Sequence, residues 1–214
     1  PFSTQMISAA PATTTSTELS THSKIIAAAL NVFARDGIPR ATTRIIAEEA
    51  GVNEVTLFRH FTNKDGLLQA VFDTMVDTPA YESLDTDKAW VGTLHDVLRN
   101  FGLSLYQTME RDEAFIRTLI GESRRLPEQY RKIAMEAIKP LRSRFRKVLE
   151  RGQENGEVRK DLNLFAAMDM FTNMLMAGML KNTVEFQTDY TSRQYVNTCV
   201  EVFMAGISPQ RSRH

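Results

Sequence analysis

The sequence has a single cysteine, Cys199, in 214 residues. No disulfide can form within the chain, and no set of cysteines is available to bind a metal ion. No apolar run is long enough to cross a bilayer, and the first residues lack the basic start and apolar core of a secretory signal. These absences favour a reducing cytoplasm as the compartment and give no reason to expect a membrane partner.

An excess of charge of either sign is also lacking, because 26 lysines and arginines balance 26 aspartates and glutamates. A protein that coats nucleic acid through bulk charge is therefore disfavoured, whereas a groove reader needs only a few well-placed cations. Signals of catalysis are poor as well. His22, His60, His95 and His214 show no metal-ligand spacing on a helix, and Cys199 lies on an apolar stripe. We expect no enzyme activity, no cofactor and no metal.

Helical periodicity runs through most of the chain, and no β pattern of any length accompanies it. The expected fold is all-α, with about nine helices. The predicted division is a Ser-, Thr- and Ala-rich disordered tail over 1–19, a helix-turn-helix domain over 20–66, a helical effector-binding and dimerisation body over 67–207 and a tail over 208–214. Met6 could be the natural start, with residues 1–5 foreign to the natural chain. A processed native tail is the open alternative.

The most informative stretch is Thr42–Lys64, which predicts two short helices joined by a tight turn. Thr42 or Thr43 can cap the first helix, and Asn53 can cap the second. Gly51 follows the last residue of the first helix, where a positive φ is usually needed. Helix, glycine turn and helix make the helix-turn-helix plan, whose second helix is shaped to enter a DNA major groove.

Two expectations concern the helices around this motif. A helix over about Thr21–Arg35 should pack on the pair and make a three-helix unit. Three short helices bury little area, so we expect the unit to depend on the helices that follow. Farther along, Pro140 lies inside a predicted helix from about Pro127 to Arg151 and should kink it.

The motif resembles the DNA-binding module of the TetR (tetracycline repressor) family. The residues that carry the resemblance are Gly37, Thr42, Thr43, Ile46, Ala47, Ala50, Gly51, Val52, Thr56, Leu57, Phe58, His60, Phe61 and Lys64, with Leu67 and Leu68 opening the next helix. The rest of the chain matches the family in its all-helical layout. Phe58 stands where the family usually has tyrosine, and Glu54 and Val55 stand where a small or basic residue is common. These departures leave the preferred bases open.

The candidate DNA contacts lie at the start of the first motif helix and along the second. They are Thr43, Arg44, Glu54, Val55, Thr56, Phe58, Arg59, His60 and Lys64. Glu54 could accept a bond from a cytosine amine, and Arg59 could bind guanine or phosphate. We expect His60 and Lys64 on phosphates, which position the protein without reading sequence. Taken singly, each is better explained as a solvated surface residue. Together they favour double-stranded DNA as a partner.

The last two predicted helices, about Leu164–Val184 and Ser192–Ala205, carry more apolar surface than a monomer could easily hide. These two helices from each of two subunits would make a four-helix bundle, as the corresponding helices do in the TetR family. The resemblance therefore implies a homodimer on a palindromic operator. The residues expected at the interface are Leu175, Met179, Val196, Val200 and Phe203. The alternative is that both helices are internal core of a monomer.

The resemblance also implies an effector pocket in the body, for a small apolar or amphipathic molecule. The candidate pocket residues are Trp90, Phe101, Met109, Phe115, Met168, Phe171 and Met174. Methionine suits irregular apolar pockets, although core packing explains each residue better when it is taken alone. The implied function is a ligand-responsive transcriptional regulator, more often a repressor than an activator. The alternatives are an α-helical interaction protein with a vestigial helix-turn-helix and an enzyme built in a helical body.

Overall fold

The structure, a computed structural model, describes residues 20–76, 84, 92–181 and 189–209. Within these residues all regular structure is helical, which confirms the predicted all-α fold. The nine helices described are α1 (Thr21–Asp36), α2 (Thr43–Glu49), α3 (Glu54–His60), α4 (Lys64–Val76), α5 (Leu94–Arg111), α6 (Glu113–Glu122), α7 (Glu128–Glu154), α8 (Leu164–Lys181) and α9 (Ser192–Ile207). The predicted tail over 1–19, residues 210–214 and Trp90 lie outside the described residues.

Short polar side chains fix the starts of the motif helices. The Thr42 hydroxyl accepts a bond from the Ile45 N–H, and Asn53 Oδ1 accepts one from the Thr56 N–H at 2.7 Å. Between the helices Gly51 has φ 67°, a left-handed conformation that glycine adopts without steric cost. The predicted turn and the Asn53 cap are confirmed, and Thr42 is the residue that caps α2.

One hydrophobic cluster, here called the N-terminal core, joins the first four helices to the next part of the chain. Ile25, Phe33, Ile46, Leu57 and Leu68 are among its fully buried members. Its other members include Phe115 of α6, Leu126, and Tyr130 and Ala137 of α7. The expectation that the three-helix unit depends on later helices is therefore confirmed.

Phe115 is the link between the two parts. Its ring lies 6.2 Å from the Phe33 ring of α1 and 5.6 Å from the Phe72 ring of α4, measured between centroids. Thr118 of the same helix donates a hydrogen bond to the Ala34 carbonyl at 2.7 Å. The position of α1 is thus set by contacts with α6 as well as by its own motif.

A second cluster, here called the body core, lies among α5, α7, α8 and α9. Aromatic rings form its centre, with 5.0 Å between the centroids of Phe101 and Phe145 and 4.9 Å between those of Phe171 and Phe203. Helix α7 contributes to both cores and continues through Pro140. Tyr130 and Ala137, which precede that proline, belong to the N-terminal core. Phe145, which follows it, belongs to the body core.

Shortening Phe115 should loosen the N-terminal module along with α6. Phe115→Ala removes a fully buried ring, so we expect the free energy of unfolding to fall by about 3–5 kcal/mol. Hydrogen exchange should become faster in α1 and α4, which the ring contacts. The control is Ile120→Ala, an exposed position on the same helix, which should change stability little. Equal losses in the two variants would contradict the proposed link.

Candidate nucleic-acid interface

The outward edge of α3 is exposed. Leu57 is the one residue of this helix that is buried, and Phe61, which ends it, is buried beside it. Val55 is 64% exposed and Phe58 46%. Arg59 is exposed as well and makes no ion pair within the described part of the chain. The body of the protein therefore leaves this edge free for a partner.

Two of the predicted DNA contacts bind each other. The Thr43 hydroxyl, in the first turn of α2, donates a hydrogen bond of 2.5 Å to Glu54 Oε1, in the first turn of α3. Both residues are half-buried. The bond joins the starts of the two motif helices in the free protein. The Glu54 carboxylate, expected to face a base, is already engaged here.

Thr56 and Arg44 are also engaged. The Thr56 hydroxyl donates to Asn53 Oδ1 at 2.9 Å and so becomes part of the α3 cap. Arg44 Nε lies 3.0 Å from Glu48 Oε1, in an ion pair that is exposed on both sides. An exposed pair of this kind is weak, so a DNA phosphate could replace Glu48 at little cost.

The end of α3 lies beside the start of α1. The His60 ring centroid is 5.9 Å from that of His22, and the His22 ring lies 4.8 Å from Phe61. Sequence reasoning considered His22 only as a metal ligand and missed this place at the interface. No spacing rule could have found it, because the two histidines belong to helices that meet only in the fold.

Lys64, which was expected on a phosphate, is half-buried at the start of α4 in the free protein. Its Nζ donates to the Pro39 carbonyl at 3.2 Å and lies 5.3 Å from the centre of the Tyr130 ring of α7. Burial lowers the pKa of this ammonium below its usual value. The side chain is turned toward the α1–α2 loop and the body, so it fastens the module to α7.

The five side chains expected at the dimer interface lie inside the chain's own core. Leu175, Met179, Val196, Val200 and Phe203 are all buried there. On α8 and on α9, these side chains point toward α5 and toward the other helix of the pair. They therefore have no surface to offer a second subunit. The prediction of an interface through these residues is therefore corrected.

The opposite faces of α8 and α9 are exposed and partly apolar. Met170 is 65% exposed and Phe165 50% on α8, and Val202 is 59% exposed on α9. Ala166, Ala177, Ala205 and Gly206 are small exposed residues on the same two helices. Exposed apolar side chains can form a contact with another protein where they lie together.

The candidate effector residues that the structure describes are divided between the two cores. Phe101, Met109, Met168 and Phe171 are buried in the body core, whereas Phe115 belongs to the N-terminal core. Met174 is half-buried against the body core. Two clefts, of about 470 Å³ and 340 Å³, are lined by other residues, at the end of α7 and between α1, α4 and α5.

The described residues contain no group of three or more histidines, cysteines, aspartates or glutamates placed to hold a metal ion. Among them, too, no helix is both long and apolar enough to cross a membrane. Cys199 is buried, and burial raises the pKa of its thiol. A thiol in that state is a poor nucleophile.

Comparison with known proteins gives matches to two family models. The model described as bacterial regulatory proteins, tetR family, matches residues 25–71, and the model of the tetracyclin repressor-like C-terminal domain matches residues 90–196. The YdeS regulator of Bacillus subtilis, an uncharacterized HTH-type transcriptional regulator, is 25% identical over 180 residues, which are 83% of this chain and 87% of YdeS. TtgR of Pseudomonas putida, an HTH-type transcriptional regulator, is 41% identical over 58 residues, 27% of this chain and 28% of TtgR.

Solved structures share the fold. The transcriptional regulator FadR of Bacillus subtilis, in complex with stearoyl-CoA, superposes with a TM-score of 0.72 at 22% identity, covering 87% of this chain and 99% of that one. At this identity the likeness speaks for the fold alone, and that fold places a helix-turn-helix module ahead of a helical body.

The Thr43–Glu54 bond should stabilise the motif measurably. In a double-mutant cycle of Thr43→Val and Glu54→Met, we expect a coupling free energy of about 1 kcal/mol, since the bond is half-buried and its acceptor is charged. Chemical unfolding of the four proteins measures it.

The matched control is the cycle of Arg44→Met and Glu48→Gln in the same module. That pair is exposed at i, i+4, so its coupling should be about 0.2–0.5 kcal/mol. A Thr43–Glu54 coupling no larger than this control would contradict the positioning role.

Proposed function

Because the chain belongs to the tetR family of bacterial regulatory proteins, and is thus a helix-turn-helix transcriptional regulator and not an enzyme, we propose that it is a ligand-responsive repressor. In this proposal a homodimer binds a palindromic operator, and an effector releases it. The proposed compartment is the bacterial cytoplasm, where the operator DNA lies. The observation that carries the proposal is the exposed edge of α3, which the body leaves uncovered.

In this proposal, the residues that read the bases are those of α3 whose side chains are exposed. Arg59 can bind guanine through two N–H groups, and the exposed Val55 and Phe58 can contact thymine methyls or sugars. Arg44 and His60 lie beside them and suit phosphate oxygens. Thr43 and Glu54 act indirectly in this assignment, because their mutual bond sets the angle of α3.

Dimer formation is assigned to the outward faces of α8 and α9, with Phe165, Met170 and Val202 as the larger apolar contacts. A two-fold axis through these faces would make a four-helix bundle and present two copies of α3. To read successive major grooves on one side of the duplex, the two copies must lie about 34 Å apart.

The effector is proposed to be a small apolar or amphipathic molecule. FadR of Bacillus subtilis, whose structure contains stearoyl-CoA, is a neighbour in fold that binds an amphipathic molecule. An effector can release DNA only if it binds the DNA-incompetent arrangement more tightly than the competent one. The fourth helix connects the motif to the body, so a change in its direction would alter the distance between the two copies of α3.

Replacing Arg59 should weaken DNA binding without changing the fold. Duplexes bound by the wild-type protein are first selected from a random library, and affinity is then measured by fluorescence anisotropy. We expect Arg59→Ala to lose about 1–3 kcal/mol of binding free energy for each Arg59–guanine pair, of which the proposed dimer makes two. Discrimination at the base that Arg59 reads should be lost as well.

The control is Lys147→Ala, which removes an exposed cation of α7 beyond Pro140, in the part of the helix that packs on the body core. Its affinity should equal that of the wild type. If Arg59→Ala binds as tightly as this control, Arg59 is not a DNA contact. If the wild-type protein selects no sequence and shows no loss of affinity as salt rises, the proposed operator binding fails.

The dimer proposal is tested by placing a charge on the outward face of α9. Val202→Arg should yield monomers in sedimentation velocity, because an unpaired guanidinium would be buried at the seam. Val55→Arg is the matched control: Val55 is exposed to a similar extent, at 64% against 59% for Val202, but lies on the DNA-reading edge. It should stay dimeric. A dimeric Val202→Arg would place the interface elsewhere.

A further inference from the structure

A cleft of about 340 Å³ lies where α1 and α4 meet the end of α5. We call it the junction cleft, because its walls are formed by α1 and α4, which flank the motif, and by α5, which belongs to the body. Its volume falls in the range of small-molecule sites, which are about 300–1,000 Å³. None of the residues predicted for an effector pocket lines it, so it is a separate place in the molecule.

Most of the wall of the junction cleft is apolar, with Ser23, Thr74, Arg111 and Asp112 as its polar residues. Ile26 and Leu30 of α1 and Met75 of α4 are half-buried, with one side packed on the hydrophobic cores and the other turned to the cleft. Met75 packs against both cores. A concave apolar wall on the surface favours an apolar ligand, because water in contact with it is released on binding.

One end of the cleft carries a positive charge. Arg111 Nε and Nη2 donate to the Asp112 carboxylate at 3.0 Å and 2.6 Å. Asp112 is buried, with 2% of its side chain exposed, whereas 54% of the Arg111 side chain is exposed. A guanidinium has five N–H donors, so those not used by Asp112 remain available. Asp112 also lines the cleft, but its side chain is almost fully buried, so the exposed member of the pair at this end is the guanidinium.

We propose that the junction cleft binds a small apolar carboxylate. Its hydrocarbon part lies on Ile26, Leu30 and Met75, and its carboxylate accepts bonds from the outward N–H groups of Arg111. Asp112 holds the guanidinium plane in place and prevents it from turning away, which makes a planar carboxylate a better partner than a neutral head group. A cationic amphiphile is repelled by the same group.

Binding here would couple to DNA affinity. The ligand would contact α1 and α4, which carry the motif, and α5, which belongs to the body. It would therefore favour one arrangement of the motif on the body over others. This consequence rests on the proposed function, whereas binding itself does not.

Calorimetric titration of the full chain without DNA tests the site. The probes are octanoate, 1-octanol and octylammonium, which share a tail and differ in head charge. We expect octanoate to bind one molecule per chain, and to bind roughly tenfold more tightly than 1-octanol, which corresponds to about 1.4 kcal/mol. Octylammonium should bind more weakly than either.

Variants locate the binding. Ala27 lines the cleft on α1, so Ala27→Phe should fill it and weaken octanoate binding by about tenfold or more. Asn31→Phe, on the same helix and exposed but outside the cleft, should bind like the wild type. Arg111→Lys keeps a positive partner for Asp112 but loses the planar fork, so it should weaken octanoate and leave 1-octanol unchanged. Thermal unfolding checks that each variant is folded.

Three results would overturn the site: no octanoate binding by the wild-type chain, equal binding by Ala27→Phe, or tighter binding of octylammonium than of octanoate. Since these titrations contain no DNA, their failure is distinct from a failure of operator binding. Octanoate should also change the affinity of the wild-type chain for its selected duplex and not that of Ala27→Phe. Intact octanoate binding with unchanged DNA affinity would overturn the coupling.

Discussion

The packing of Phe115 between Phe33 and Phe72 is the interaction on which the rest of the structure depends. Helices of seven residues, such as α2 and α3, cannot bury enough apolar area to hold a fixed geometry by themselves. The N-terminal core solves this by including residues of α6 and α7. The direction of α3 is therefore a property of the whole chain. This dependence gives the body a physical means of affecting DNA binding, because any shift of α6 or α7 moves part of the core on which α3 rests.

The same arrangement offers two routes by which a bound ligand would act on the motif. Helix α7 belongs to both cores, and its proline lies between the two segments, where a helix lacks one backbone bond and bends most easily. Lys64 ties the start of α4 to Tyr130 near the beginning of α7. A ligand in the body core would act through α7, whereas a ligand in the junction cleft would act on α1 and α4 directly. Both routes end on the same cluster of buried side chains.

Local chemistry made the helices and the turn predictable, and the absence of long-range information explains the errors. Asn53 and Gly51 act through bonds and φ angles within a few residues, so their roles were visible in the sequence. Periodicity likewise identified the stripe of Val196, Val200 and Phe203, but it could not say whether that stripe meets α5 or a second subunit. Burial in the single chain answers this, and the apolar residues left for a partner, such as Val202, interrupt the pattern. The direction of Lys64 and the Thr43–Glu54 bond depend on residues brought together only by folding.

The small number of available cations at the interface limits how this protein can recognise DNA. Arg35 is paired with Asp36 and Glu49, and Lys64 donates to the Pro39 carbonyl. On the proposed operator, counterion release by few cations would give a modest electrostatic contribution, in keeping with a chain of zero net charge. Discrimination must then come mainly from the fit of α3 in the groove, where Val55 and Phe58 supply exposed apolar surface. Apolar side chains read thymine methyl groups and reject the polar edges of other bases. Such contacts need a precise helix angle, to which the half-buried Thr43–Glu54 bond would contribute together with the N-terminal core.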